Sequence, residues 1–258
     1  MTDKELTVIP EYLTPTAPGQ KIEGLDLDDG RVLPNFLKVV QPSSRDPYKP
    51  PHKEGDLIIT PQNQKIVSLE ESFHFVPIFF WYEYTIQNPI QVKGLDFIRE
   101  KTLDPNSAIA MKAKNQNPKA RAFPCPENGD YNCSYVEHMN FLWVLLDHNE
   151  TIGISPVVMS FFNTGWKNGM TLKELIKARS SQCQYMYGCQ FRGFTARKSN
   201  DQGSWYLVNV MNPAEVSPFV QEKQRFEVYR ELYQGFKKSH EQMELDVDYA
   251  GKVKEEEF

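Results

Sequence analysis

The sequence predicts a mainly β fold of the α+β class: an OB-like small barrel or curled antiparallel sheet, with a long C-terminal helix and an extended N-terminal arm. Three observations carry this. Phe73–Ile86 (FHFVPIFFWYEYTI) is dense in aromatic and β-branched residues and lacks helical spacing, which reads as a long strand. Gln184–Arg197 and Ser204–Met211 are strand-like runs joined by Lys198–Gly203 (KSNDQG), a good hairpin loop. Phe219, Phe226, Tyr229, Tyr233 and Phe236 then recur at spacings of seven, three, four and three, one face of a helix running to about Lys238.

Residues 1–55 hold most of a proline-rich stretch with two short apolar anchors, Ile9–Leu13 and Leu33–Val40, and read as an arm that docks by those anchors. The body spans 56–240. Pro77 marks an edge position or a bulge in the first long strand, because proline has no N–H to give a ladder. Asn106–Arg121, polar and basic, reads as a loop. Met139–Asp147 and Gly153–Phe162 read as strands around a turn at His148–Thr151. Thr171–Ala178 reads as a short helix, with Thr171 and Glu174 spaced as a capping box. Ser217 and Pro218 fit the N-cap and first position of the last helix. Residues 241–258 are too charged to pack and are expected to be disordered.

Charge is unevenly spread. The formal net charge of −5 comes from 29 basic and 34 acidic residues, but residues 1–30 and 241–258 together hold 14 of the acids and 4 of the bases. The segment between carries 25 bases against 20 acids, so a basic body lies between acidic ends. The N-terminus has no apolar signal region and no apolar run is long enough to span a bilayer, so a cytoplasmic location is expected, that of the host if the protein is viral.

Aromatic and basic residues share the same segments. In QYMYGCQFRGFTARK, strand alternation sends Tyr185, Tyr187 and Phe191 to one face and Arg192 to the other, with Arg197 and Lys198 at the turn. In Phe73–Ile86 one face carries Val76, Ile78, Phe80, Tyr82 and Tyr84, and the other Phe75, Phe79, Trp81 and Glu83, with Phe79 and Trp81 as stacking candidates. Lys112, Lys114, Lys119 and Arg121 form a cationic segment without acids. Single strands of nucleic acid are held by bases stacking on rings while Lys and Arg track the phosphates. These residues are therefore the candidate single-stranded-DNA-binding set; the alternative is that the rings are core and the cations a solvated edge.

Cys125, Cys133, His138, Cys183 and Cys189 are five possible zinc ligands, but no CxxC knuckle is present and Cys189 sits in an apolar strand where a buried thiol is ordinary. No metal or other cofactor is assigned. With no P-loop, GxSxG or HExxH, and five scattered histidines, a non-catalytic protein is expected. Phe258, behind Glu255, Glu256 and Glu257, is a compact ligand for an apolar pocket rimmed by bases, hence a candidate partner-binding tail.

KEEEF at Lys254–Phe258 and the aromatic–basic strands together resemble the replication single-stranded DNA-binding proteins of tailed bacteriophages. IPEYL (Ile9–Leu13) and LPNFLKVVQP (Leu33–Pro42) resemble openings of small phage replication or recombination proteins. The resemblance implies an OB-fold body whose acidic tail recruits replication or recombination proteins and occupies the DNA groove when DNA is absent. Two other expectations stand beside it: an oligomeric strand-annealing mediator using the same surface, and a structural or host-interaction protein that does not bind nucleic acid.

Overall fold

In the computed structural model, residues 35–42, 51–117, 119–146, 156–179, 182–201, 203–214 and 216–253 are described, with side chains to His240. Ten strands form one sheet: β1 (Asn35–Val39), β2 (Leu57–Thr60), β3 (Gln64–Val67), β4 (Ser72–Gln87), β5 (Ile98–Thr102), β6 (Ala122–Cys125), β7 (Asn128–Leu145), β8 (Val157–Phe161), β9 (Phe191–Asn200) and β10 (Gly203–Met211). Three α-helices join them among the described residues, α1 (Ala108–Ala113), α2 (Trp166–Ala178) and α3 (Lys223–Val253). The path through the sheet is β10-β9-β4-β7-β8-β1-β2-β3, with β5 on the far half of β4 and β6 on the near half of β7. The fold is mainly β and α+β as expected, and all pairings are antiparallel except β1 with β8, so the expected barrel or curled antiparallel sheet is an open, mixed curled sheet.

The curl is real, and it nearly closes. Core residues from β2 (Leu57, Ile59) and β10 (Tyr206, Val208) share one cluster with Phe73, Phe75, Phe141, Trp143, Phe161 and Phe191, the inside of the curl. Phe75 and Trp143 stack at its centre with centroids 3.9 Å apart. On its edge away from β9, β10 is bridged by amide side chains. Gln41, just past β1, donates to Tyr206 O at 2.7 Å and accepts from Tyr206 N at 2.9 Å, and Asn168 donates to Val208 O at 2.7 Å. Such an edge is blunted against pairing with another chain. Gly193 allows the inner face to close here: a Cβ on it would lie 2.4 Å from Cζ of the buried Phe73 ring.

β4 contains the predicted proline device. Pro77 faces Trp143 and Phe79 faces Leu142, so Ile78 is an extra residue, a β-bulge in a central strand. One inserted residue exchanges the faces beyond it. Phe73, Phe75, Phe80 and Tyr82 therefore line the inner core, whereas Val76, Ile78, Phe79 and Trp81 pack on the outer one. This corrects the two faces that strict alternation assigns to Phe73–Ile86.

Other expectations move too. β1, ahead of residue 56, belongs to the sheet. Asn106–Arg121 holds a helix, α1, started by Ser107, whose Oγ accepts from Ala110 N at 3.1 Å. α2 begins five residues before Thr171, whose hydroxyl donates back to Lys167 O within the helix, so there is no capping box. Gly169 within α2 is a packing site: a Cβ there would lie 2.8 Å from Met139 Cε. The strand predicted from Gln184 begins only at Phe191, because Met186–Gly188 forms a 3-10 turn carrying Tyr187, with Tyr185 just before it.

Ser217 does not cap α3. Its Oγ accepts from Phe219 N, and Phe219 bridges Cys189 while Pro218 O accepts from the Arg179 guanidinium, which delays the helix to Lys223. α3 then runs past Lys238 to Val253, so 241–253 are helical and not disordered, in keeping with the good helix formers Glu241, Met243, Glu244 and Leu245. Ile9–Leu13 and Glu255–Phe258 lie outside the described residues.

Candidate nucleic-acid interface

The structure disperses the predicted set over three places. Phe79 and Trp81 lie beneath α3: Phe79 is 5.3 Å from Phe236 and 5.4 Å from His240, and Trp81 is 5.3 Å from Phe236, centroid to centroid. Tyr185 and Tyr187 pack on the same helix through Phe226, and Tyr187 also reaches Tyr233. Tyr185 remains 38% exposed, but Phe191 is 0% exposed under the Arg179 guanidinium, so Phe191 is core and cannot receive a base. Arg192 is half-buried beside His74 across β4 and β9. Arg197 and Lys198 are exposed near the β9–β10 turn, with Arg197 donating to Ser204 Oγ.

Lys112, Lys114, Lys119 and Arg121 sit on and after α1, at the other end of β4. The β9 pairing reaches Ser72, whereas Lys114 lies over Tyr84, twelve residues or about 40 Å of extended strand away. The two cationic regions therefore flank the curled sheet from opposite ends of β4.

Between α1 and α2, on the inner-face side of β4, the structure assembles a constellation that sequence reasoning missed. Lys173 of α2 places its ammonium 4.8 Å from the Phe80 centroid and 5.0 Å from that of Tyr82, and donates to Tyr82 Oη at 2.7 Å. Tyr82 and Tyr84 stack at 6.4 Å and 14°. Tyr84 closes the deep end against Ala110 and Ala113, and burial first, then the charge of Glu137, pushes its phenol up to about 12. Glu137 faces Tyr84 across the strands. Burial raises its carboxyl, opposed by a hydrogen bond from the Trp166 indole and by the charges of Lys114, Arg121 and Lys173. Phe80, Tyr82, Trp166, Lys173 and Glu137 are only half-buried, so rings, cations and one carboxylate share a partly open cleft. Tyr82 and Lys173 are 91 residues apart, and no local spacing announces the pair.

The candidate zinc ligands are engaged with other partners. Cys125 donates to Glu127, Cys133 to Asn88, and Cys183 and Cys189 both to Tyr185 O. His138 is away from all four, and among the described residues no group of three His, Cys, Asp or Glu side chains is placed to hold a metal ion. Its Nε2 lies 2.9 Å from Thr85 Oγ1 and 3.2 Å from the Gln87 amide nitrogen, with Nδ1 3.1 Å from Ser160 Oγ. The Gln87 amide donates, so Nε2 accepts and the ring proton sits on Nδ1, toward Ser160. That tautomer cannot take a proton from Ser160. Among the described residues no helix is long and apolar enough to cross a membrane.

No curated protein and no solved structure was found to match the chain. A family model described as Pam3 phage gp34-like protein matches residues 3–242, ending before the acidic terminus at 243–258. Covering nearly the whole ordered body, that match shows that the chain belongs to the Pam3 phage gp34-like protein family, a family of phage proteins.

Proposed function

We propose that the protein binds single-stranded DNA in phage replication or recombination, without catalysing a reaction on it, and that the α1–α2 cleft is the centre of its binding surface. The observation that carries this is the interleaving of Lys173 and Lys114 with the rings of Phe80, Tyr82 and Tyr84. Stacking on a ring and neutralising a phosphate are the two requirements for holding a single strand without reading its sequence. A lysine is a point charge on a flexible stem, so Lys173 can swing from ring to phosphate and leave the Tyr82 face to a base.

The strand order supports the same reading. β4, β7, β8, then α2, then β9 and β10, with β4 paired to both β7 and β9, follow the connectivity of the five-stranded Greek-key OB barrel, with β1 standing where the barrel would close. Such barrels bind oligonucleotides at strands 2–3 and at the loops after strands 1 and 4. Here the loop after β4 carries Lys112, Lys114, Lys119 and Arg121, and Arg197 and Lys198 approach the loop after β9. The acidic end of the chain, Glu255, Glu256, Glu257 and Phe258, would serve as a hook for replication or recombination partners.

The test is a salt titration of a fluorescent oligo-dT. Affinity should fall with a log–log slope of about −0.7 per phosphate neutralised. Lys173→Ala should flatten that slope, and Tyr82→Leu, which keeps bulk but loses the flat ring, should weaken binding by about 1–3 kcal/mol. Failure of the protein to shift the oligonucleotide at low salt overturns the proposal. Sizing the protein with and without DNA separates a coating protein from an annealing oligomer.

A further inference from the structure

We infer that Glu137 gives the cleft a base preference, accepting a hydrogen bond from an exocyclic amino group so that cytosine is held better than thymine. The inference rests on the single-strand reading of the cleft and adds to it a discriminating residue. A cleft meant only to attract phosphates would contain no carboxylate. Here one lies directly across the strands from Tyr84, with Lys114, Arg121 and Lys173 around it and the Trp166 indole donating to it.

Burial raises the pKa of this carboxyl, and the charges of Lys114, Arg121 and Lys173 oppose that rise. An ionised carboxylate is an acceptor only, with about four acceptor positions, of which one indole N–H uses one. A base stacked on Tyr82 would bring its hydrogen-bonding edge toward this oxygen pair. Cytosine offers an N4 amino group there, the donor that carboxylates read in base recognition. Thymine offers the O4 acceptor at the same position, which a carboxylate repels. Lys114, Arg121 and Lys173 remain on the phosphates, so the preference is added to sequence-tolerant binding and does not replace it.

The experiment compares oligo-dC with oligo-dT of equal length on the full chain and on Glu137→Gln, in one buffer. The wild type should bind oligo-dC several-fold more tightly, and the carboxamide, which both donates and accepts, should bring the ratio close to one. Equal wild-type affinities, or a thymine preference, overturn the inference while leaving the single-strand reading intact. A Glu137→Gln protein that tightens on both oligonucleotides by the same factor also overturns it, because Glu137 then acts only as a repelling charge. If neither oligonucleotide binds the wild type, the single-strand reading fails and the inference with it. Circular dichroism and a thermal melt of Glu137→Gln verify that its fold is kept.

Discussion

His138 should make the protein acid-sensitive in a defined window. Burial pulls its pKa from 6.5 down to about 4, and the ring is held neutral between Thr85, Gln87 and Ser160. The unfolded chain takes up its proton near the ordinary value, so below about pH 6.5 the unfolded state binds more protons than the folded one. Stability from this residue is therefore full above that pH and is lost as pH falls toward about 4. Integrated from pH 8 to pH 5, the loss is about 2 kcal/mol of a possible 3.4 or so. Glu83 and Glu137, whose carboxyls are raised chiefly by burial, act in the opposite sense, because the folded state then binds protons more readily. Their effect is common to wild type and His138→Asn and cancels in the difference. Urea unfolding of both proteins at pH 8 and pH 5, followed by circular dichroism, should show the wild-type advantage shrinking by about 2 kcal/mol at the lower pH. An advantage of equal size at both values refutes the reasoning.

Two further outcomes test the fold. Phe191→Ala should destabilise by about 3–5 kcal/mol, because the ring is fully buried between Phe75 and Arg179; a drop in oligonucleotide affinity at unchanged unfolding free energy would contradict its placement in the core. Gln41→Ala removes both bonds to Tyr206 and should cost about 1–3 kcal/mol and expose the β10 edge, read as a lower urea midpoint and concentration-dependent association in sedimentation; an unchanged midpoint would mean that the bridge contributes nothing.

Much of the frame was legible where composition alone decides. Phe73–Ile86 can only be a strand at that density of aromatic and β-branched residues, and Ser204–Met211 announces itself by its hairpin. What escaped was set by tertiary context. Pro77 marks either an edge or a bulge, but the consequence of the bulge, Phe80 and Tyr82 on the inner face and Phe79 and Trp81 under α3, is set by the pairing with β7. α2 begins at Trp166, ahead of Thr171, and Gly169 is accommodated there by Met139 and Phe161 packed against it. β1 is five residues with Pro34 before it, and its place between β2 and β8 depends on partners far along the chain. The candidate cleft stayed hidden for the same reason: the cations on and after α1 form one segment in the sequence, but the rings beside them are three to five residues further along β4 than Phe79. The alternation that singled out Trp81 would have pointed to Tyr82 had one residue been set aside at Pro77.

That single extra residue has a genetic consequence. Losing three nucleotides at Ile78 would leave the reading frame intact and only remove the bulge, with Phe79 through Gln87 keeping their partners on β7 and their faces. Exchange of Ile78 for another aliphatic residue leaves every facing unchanged. Within this phage family, strands with and without a residue at this point should therefore present the same side chains to each face.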